Sequence, residues 1–232
     1  MFEPRINEEN PEPRVACVLL LDVSASMSGD RINELNEGLR LFATDIKEDR
    51  LARKRTEILV VTFGGTSQVA APFEEAQHFV APHLTASGGT PVASAIQLGL
   101  SEINQQKQAY KNAGVEYYRP WMIVMSDGAP TDYPAELQAA VDELRSEQQR
   151  RAVTVFPIGV GGDADLNFLS SLSTERPAVS LRSVTSFSDF FKWLSASMSQ
   201  VSMSDTQVAG DQSLATSSAQ VALPSPSGWA TV

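Results

Sequence analysis

Asp22, Ser24 and Ser26 stand at alternate positions directly after the apolar run Leu19-Leu20-Leu21. One carboxylate and two hydroxyls at the end of a strand-like segment are all oxygen donors, the type that hard divalent cations such as Mg²⁺ select. Two later segments could close a cup around the same ion. Ser87-Gly88-Gly89-Thr90-Pro91 is a flexible loop that delivers a hydroxyl just before an expected helix, and residues 121–127 form a second apolar run that ends in the carboxylate of Asp127. Each group has an ordinary alternative. Aspartates end strands as turn formers, serines solvate loops, and a threonine before a proline caps a helix. Three separated segments that each bring oxygen to an element's end favour a metal set of Asp22, Ser24, Ser26, Thr90 and Asp127. With oxygen ligands alone, Mg²⁺ is the first expectation, Mn²⁺ or Ca²⁺ stay open, and zinc is disfavoured.

Such a cup needs a parallel sheet, because ligands of open α/β sheets gather at the carboxyl ends of the strands. The rest of the chain supplies one. Strands are expected over 15–21, 57–63, 120–126, 152–160 and 178–181, with a short antiparallel edge strand over 66–71. Residues 72–90 read as irregular. Helices are expected from Asp30, from Thr90-Pro91 with Thr90 as cap, from Asp132 and Pro134, over 165–172, and from Ser186. Apolar residues recur along them at helical spacing, as in Ile32, Leu35, Leu39, Phe42 and Ile46. Strands alternating with helices predict an α/β, doubly wound, Rossmann-like sheet, mostly parallel with one antiparallel edge, covered by helices on both faces. Residues 1–13 read as a loose arm, 14–203 as the domain, and 204–232 as a Ser/Ala/Pro-rich tail.

Composition narrows the function. The chain has 232 residues and a net charge of −10. It has no basic patch, which argues against nucleic acid and against an anionic membrane as partners. The single cysteine, Cys17, reads as a small buried hydrophobe and excludes a disulfide framework. His78 and His83 lie in a loop-like segment without zinc spacing. Asp163 and Asp165 read as helix-start caps. The N-terminus lacks an apolar signal region and no run reaches the roughly 20 apolar residues of a membrane span, so a soluble cytoplasmic protein is expected. No Gly-x-x-x-x-Gly-Lys-Ser/Thr loop and no Gly-x-Ser-x-Gly elbow occurs. The second acid that a haloacid-dehalogenase-type phosphatase needs two residues after its nucleophile is Ser24 here.

Asp22-x-Ser24-x-Ser26, Thr90 and Asp127 resemble, in order, spacing and strand context, the metal-ion-dependent adhesion site of von Willebrand factor type A (VWA) domains. The resemblance implies that these five residues hold the cation and leave one position open for an acidic side chain of a partner protein, with Met27, Arg31 and Pro130 on the rim. It departs at Ala25, where the pattern usually has glycine. If that position needs a positive φ, alanine costs about 1 kcal/mol. The segments running from Arg119-Pro120-Trp121 to Asp132 and from Phe187 to Ser197 are similar to the TerY-type proteins of bacterial tellurium-resistance and stress-response systems. That likeness implies a non-enzymatic adaptor working beside a kinase and a metal-dependent Ser/Thr phosphatase. A VWA partner of a AAA⁺ chaperone is the alternative, and a metal-assisted phosphohydrolase is a weaker one.

Overall fold

Eight consecutive buried residues, Val15–Asp22, form strand β1 of the computed structural model, which describes residues 6–127, 129–181, 186–203 and 230–231. The further strands are β2 (Thr56–Gly64), β3 (Thr66–Glu75), β4 (Trp121–Ser126), β5 (Thr154–Val160), β6 (Val179–Leu181) and β7 (Ala230–Thr231). They lie side by side in the order β3-β2-β1-β4-β5-β6-β7. The inner strands pair in parallel, whereas β3 and β7 run antiparallel at the two edges. The helices are α1 (Asp30–Glu48), α2 (Ala52–Arg55), α3 (Val92–Ala113), α4 (Pro134–Gln149), α5 (Leu166–Ser171) and α6 (Ser186–Met203).

Continuous apolar runs make the inner strands because both of their faces are covered. Successive side chains of β1 point to opposite faces. Leu19 and Leu21 join Leu35, Leu39 and Phe42 of α1 and Phe187, Phe190 and Phe191 of α6 in one layer. Val18 and Leu20 join Ile96 and Leu100 of α3, Leu144 of α4 and Leu169 of α5 in the other. Cys17 is fully buried in the first layer.

The expected doubly wound sheet is present, with three local differences. β3 extends to Glu75, past the expected end at residue 71, and its pairing with β2 shifts register near Val60. Pro72 falls in that irregular stretch, and an edge strand tolerates its missing N–H. A second antiparallel strand, β7, adds to the far edge beside β6. Helix α1 begins after Gly29, with no side-chain cap from Asp30. Most of the expected tail lies outside the described residues.

The described part of the expected loose arm is held in place. Asn10 is buried and donates to Glu75 Oε1 at 2.6 Å and to the Lys54 carbonyl at 2.8 Å. Arg14, fully buried just before β1, donates Nε–H to Glu57 Oε1 at 3.1 Å and Nη2–H to the carbonyls of Asn7 and Asn10. Glu57 Oε2 also accepts from Gln106 and from the Tyr110 hydroxyl. A polar network thus closes the amino end of β1 and β2.

Candidate functional site

In a doubly wound sheet the ligand crevice opens where adjacent strands send their connections to opposite faces, outside the carboxyl ends of the strands. Here that place lies between β1 and β4. Asp22 ends β1, and Asp127 directly follows the last residue of β4. The parallel pairing ends at Leu21↔Met125, which sets Asp22 beside Ser126. Ser126 Oγ–H donates to Asp22 Oδ2 at 2.5 Å, and the backbone N–H of Ser24 donates to Asp22 Oδ1 at 2.8 Å. The hydroxyls of Ser24 and Ser26 share a hydrogen bond of 3.0 Å, and Ser26 Oγ–H donates to Asp127 Oδ1 at 2.7 Å. Four of the five expected ligands are therefore joined through hydrogen bonds across the crevice. Ser24 and the carboxylates of Asp22 and Asp127 are buried, and Ser26 is exposed.

Ser26 sits in a short 3₁₀ turn, Ala25–Met27. Among the described non-glycine residues only Arg151 has a positive φ, so Ala25 carries no left-handed strain and needs no glycine. The same turn corrects the expected rim. It sends Met27 into the core, where it is fully buried and offers nothing to a partner. Pro130 is half-buried.

The loop that carries Thr90 is laid directly on the Asp22 turn. Ala25 N–H donates to the Gly88 carbonyl at 2.9 Å, and Ser87 N–H donates to the Val23 carbonyl at 2.7 Å. The contact requires glycine at position 88, where φ is +76° and a Cβ would lie 2.5 Å from the Gly65 nitrogen. Thr90 is buried but is not the cap of α3. The flanking residue is Pro91, and no side chain of that turn caps the helix.

Arg31, expected on the rim, reaches into the site. Its Nη1 pairs with Asp127 Oδ2, and its Nη2–H donates to Asp163 Oδ1 at 2.8 Å. Asp163 therefore serves as an ion-pair partner and not as the helix cap expected of it. Asp165 does cap α5, accepting from Phe168 N–H at 2.9 Å. His78 and His83 are exposed. Residues not expected at the site also matter. Ser126 orients Asp22, Thr131 accepts from Thr90 N–H, and Asp132 accepts from Val92 and Ala93. The Ser-Asp pair at the end of β4 was a signal for the first, whereas nothing local announces the other two.

Burial pushes the Asp22 carboxyl above the usual carboxylate range, and the charge of Asp127 adds to this; hydrogen bonds from Ser126 and Ser24 pull the other way. Two buried carboxylates share one crevice, and hydroxyls with no charge of their own stand between them. That donor set fits a hard divalent cation, which would be held by Asp22, Ser24, Ser26, Thr90 and Asp127.

The von Willebrand factor type A domain model matches residues 17–194, and the chain belongs to that family. Bovine inter-alpha-trypsin inhibitor heavy chain H1 (Bos taurus) is 25% identical over 161 residues, which cover 68% of this chain and 17% of that protein. The chain thus spans less than a fifth of the curated relatives it matches. Solved structures share the fold at low identity. The pilus adhesin SpaC from Lactobacillus rhamnosus GG, in an open conformation, aligns with a TM-score of 0.65 at 14% identity, covering 83% of this chain and 31% of that one. The vWF domain of the type V pili tip protein Mfa5 from Porphyromonas gingivalis aligns with a TM-score of 0.61 at 13% identity, covering 85% and 99%. No helix among the described residues is long and apolar enough to cross a membrane.

Proposed function

We propose that this domain is a non-enzymatic protein-interaction module that captures an acidic side chain of a partner at a cation held by Asp22, Ser24, Ser26, Thr90 and Asp127. The observation that carries the reading is the hydrogen-bonded series from Asp22 through Ser24 and Ser26 to Asp127 at the carboxyl ends of β1 and β4. Bound there, Mg²⁺ would supply a positive charge with a coordination position left for an incoming carboxylate. The chain's own residues do the rest. Ser126 fixes the Asp22 rotamer, the 3₁₀ turn aims Ser26, and the Gly88 contact holds the Thr90 loop against that turn. Burial of the carboxylates keeps water from screening the contact.

Family membership supports the coarse reading, since VWA domains mediate protein–protein interaction. The burial of Asp22, with both oxygens engaged, speaks against its use as a phosphoryl nucleophile. Within this reading the chain is a cytoplasmic adaptor of a bacterial tellurium-resistance or stress-response system, and a kinase and a metal-dependent Ser/Thr phosphatase are the first partners to test. Affinity capture from the native cell with Mg²⁺ and with chelator is the experiment. Capture of a partner that chelator, Asp22→Ala and Asp127→Ala each abolish supports the module. Capture unaffected by all three sinks it, and recovery of a AAA⁺ protein by the same route would move the proposal to a chaperone partner.

A further inference from the structure

Helix α3 starts at Val92 without a capping side chain of its own, yet its first amides have partners. Asp132, 40 positions further along the chain, accepts from Val92 N–H at 2.8 Å through Oδ2, and its Oδ1 accepts from Ala93 N–H at 3.1 Å. A carboxylate at the start of a helix satisfies amides that have no partner within the helix and complements its dipole. One residue earlier, Thr131 Oγ1 accepts from Thr90 N–H at 2.9 Å, while Thr131 N–H donates to the Thr90 carbonyl at 3.0 Å. Gly89 makes that approach possible, because a Cβ there would lie 2.9 Å from Thr131 Oγ1. Four hydrogen bonds thus join the loop of Thr90 to the loop that leaves Asp127, and none of them uses the Thr90 hydroxyl.

We propose that Thr131 and Asp132 are positioning residues of the cation site, locking the Thr90 loop to the Asp127 loop. By capping α3 in Thr90's place, Asp132 leaves the Thr90 hydroxyl free to serve as a ligand. A threonine before a helix ordinarily turns its hydroxyl back onto the amides of that helix, which would take it away from the crevice. The inference rests on the cation reading of the same site.

Mn²⁺ binding to the purified full chain, followed through the electron paramagnetic resonance of the free ion, tests it at a temperature where circular dichroism shows each variant folded. Asp132→Ala and Thr131→Val should each weaken binding by about tenfold or more, the usual effect of losing a group that orients a ligand, and Thr131→Ser should restore it. Thr90→Val should weaken binding in the wild-type background but add little in Asp132→Ala, since both changes remove the same ligand. Wild-type affinity in folded Asp132→Ala and Thr131→Val, or losses that add in the double variant, would overturn the clamp. Wild-type binding no tighter than that of Asp22→Ala would overturn the cation reading itself, and the clamp with it.

Discussion

At the amino end of the sheet the buried carboxylate of Glu57 accepts from the Arg14 guanidinium, the Gln106 amide and the Tyr110 hydroxyl. At the carboxyl end the buried carboxylate of Asp22 accepts from a backbone amide and a serine hydroxyl, and among the described residues no cationic side chain pairs with it. Both ends bury a carboxylate beside the middle of the sheet. The first is charge-compensated from within the chain. Its Tyr110 hydroxyl stays a donor, because burial and the neighbouring Glu57 push its ionisation well above the usual range. The second lacks such compensation at Asp22, although Arg31 partly compensates Asp127. Burying a charge without a partner opposes folding, so the carboxyl end gives up stability that an ion from solution would restore.

The largest expected effect lies at the closed end. Glu57→Ala removes the nearer of the two buried carboxylates that face Arg14, leaving Glu75 at 3.7 Å, and should cost about 3 kcal/mol, read as a lower melting temperature whose deficit is the same with and without Mg²⁺. A loss below about 1 kcal/mol would mean that the network is not the closed device described here. Asp22→Asn should do the opposite in chelator. The amide keeps an acceptor for Ser24 N–H and removes a buried charge, so stability should hold or rise by about 1 kcal/mol, while any Mg²⁺-induced rise in melting temperature disappears. A large destabilisation would show that the charge of Asp22 is already compensated. Arg31→Gln removes the cation paired with the buried Asp127 carboxylate and should cost about 1–3 kcal/mol in chelator. Titration calorimetry with Mg²⁺ should then show few-fold tighter binding, because a competing cation has left Asp127; weaker binding would make Arg31 part of the site's support.

Cys17 lies between the two ends and serves as the control. Burial pushes its thiol up to about 12 from an ordinary 9.0. Because the folded value is the higher one, this contribution to stability is fully present below pH 9.0 and is lost as the pH climbs toward about 12. The stability gap between wild type and Cys17→Ala, measured by urea denaturation, should therefore narrow across that alkaline window. A constant gap would mean that the thiol is not sealed.

The cluster of oxygen donors was legible because strand-ending runs and oxygen spacing are both local patterns. Asp22, Ser24, Ser26 and Asp127 meet because β1 and β4 are adjacent and parallel, which the alternation of strands and helices already required. What stayed hidden is contact between distant segments. Asp132 looked like the start of its own helix, since the capping rule is read from neighbours in sequence, yet it caps α3 across a loop. Arg14 read only as the first residue of the domain, and its buried pairing stayed hidden because its partner Glu57 lies 43 residues away. The family resemblance implies a rim position for Met27; the 3₁₀ turn rotates it inward. Asp163 read as a cap, and only the folded position of Arg31 gives it a different partner.

Cys17 is the single cysteine of the chain and is wholly enclosed mid-strand. The surface therefore presents no thiol of its own among the described residues. A cysteine placed at Tyr133, a largely exposed side chain next to the Thr131–Asp132 clamp, would be the one reachable handle for a maleimide dye. A fluorophore attached there would stand beside the crevice and report occupancy directly, without any need to remove the native sulfur first.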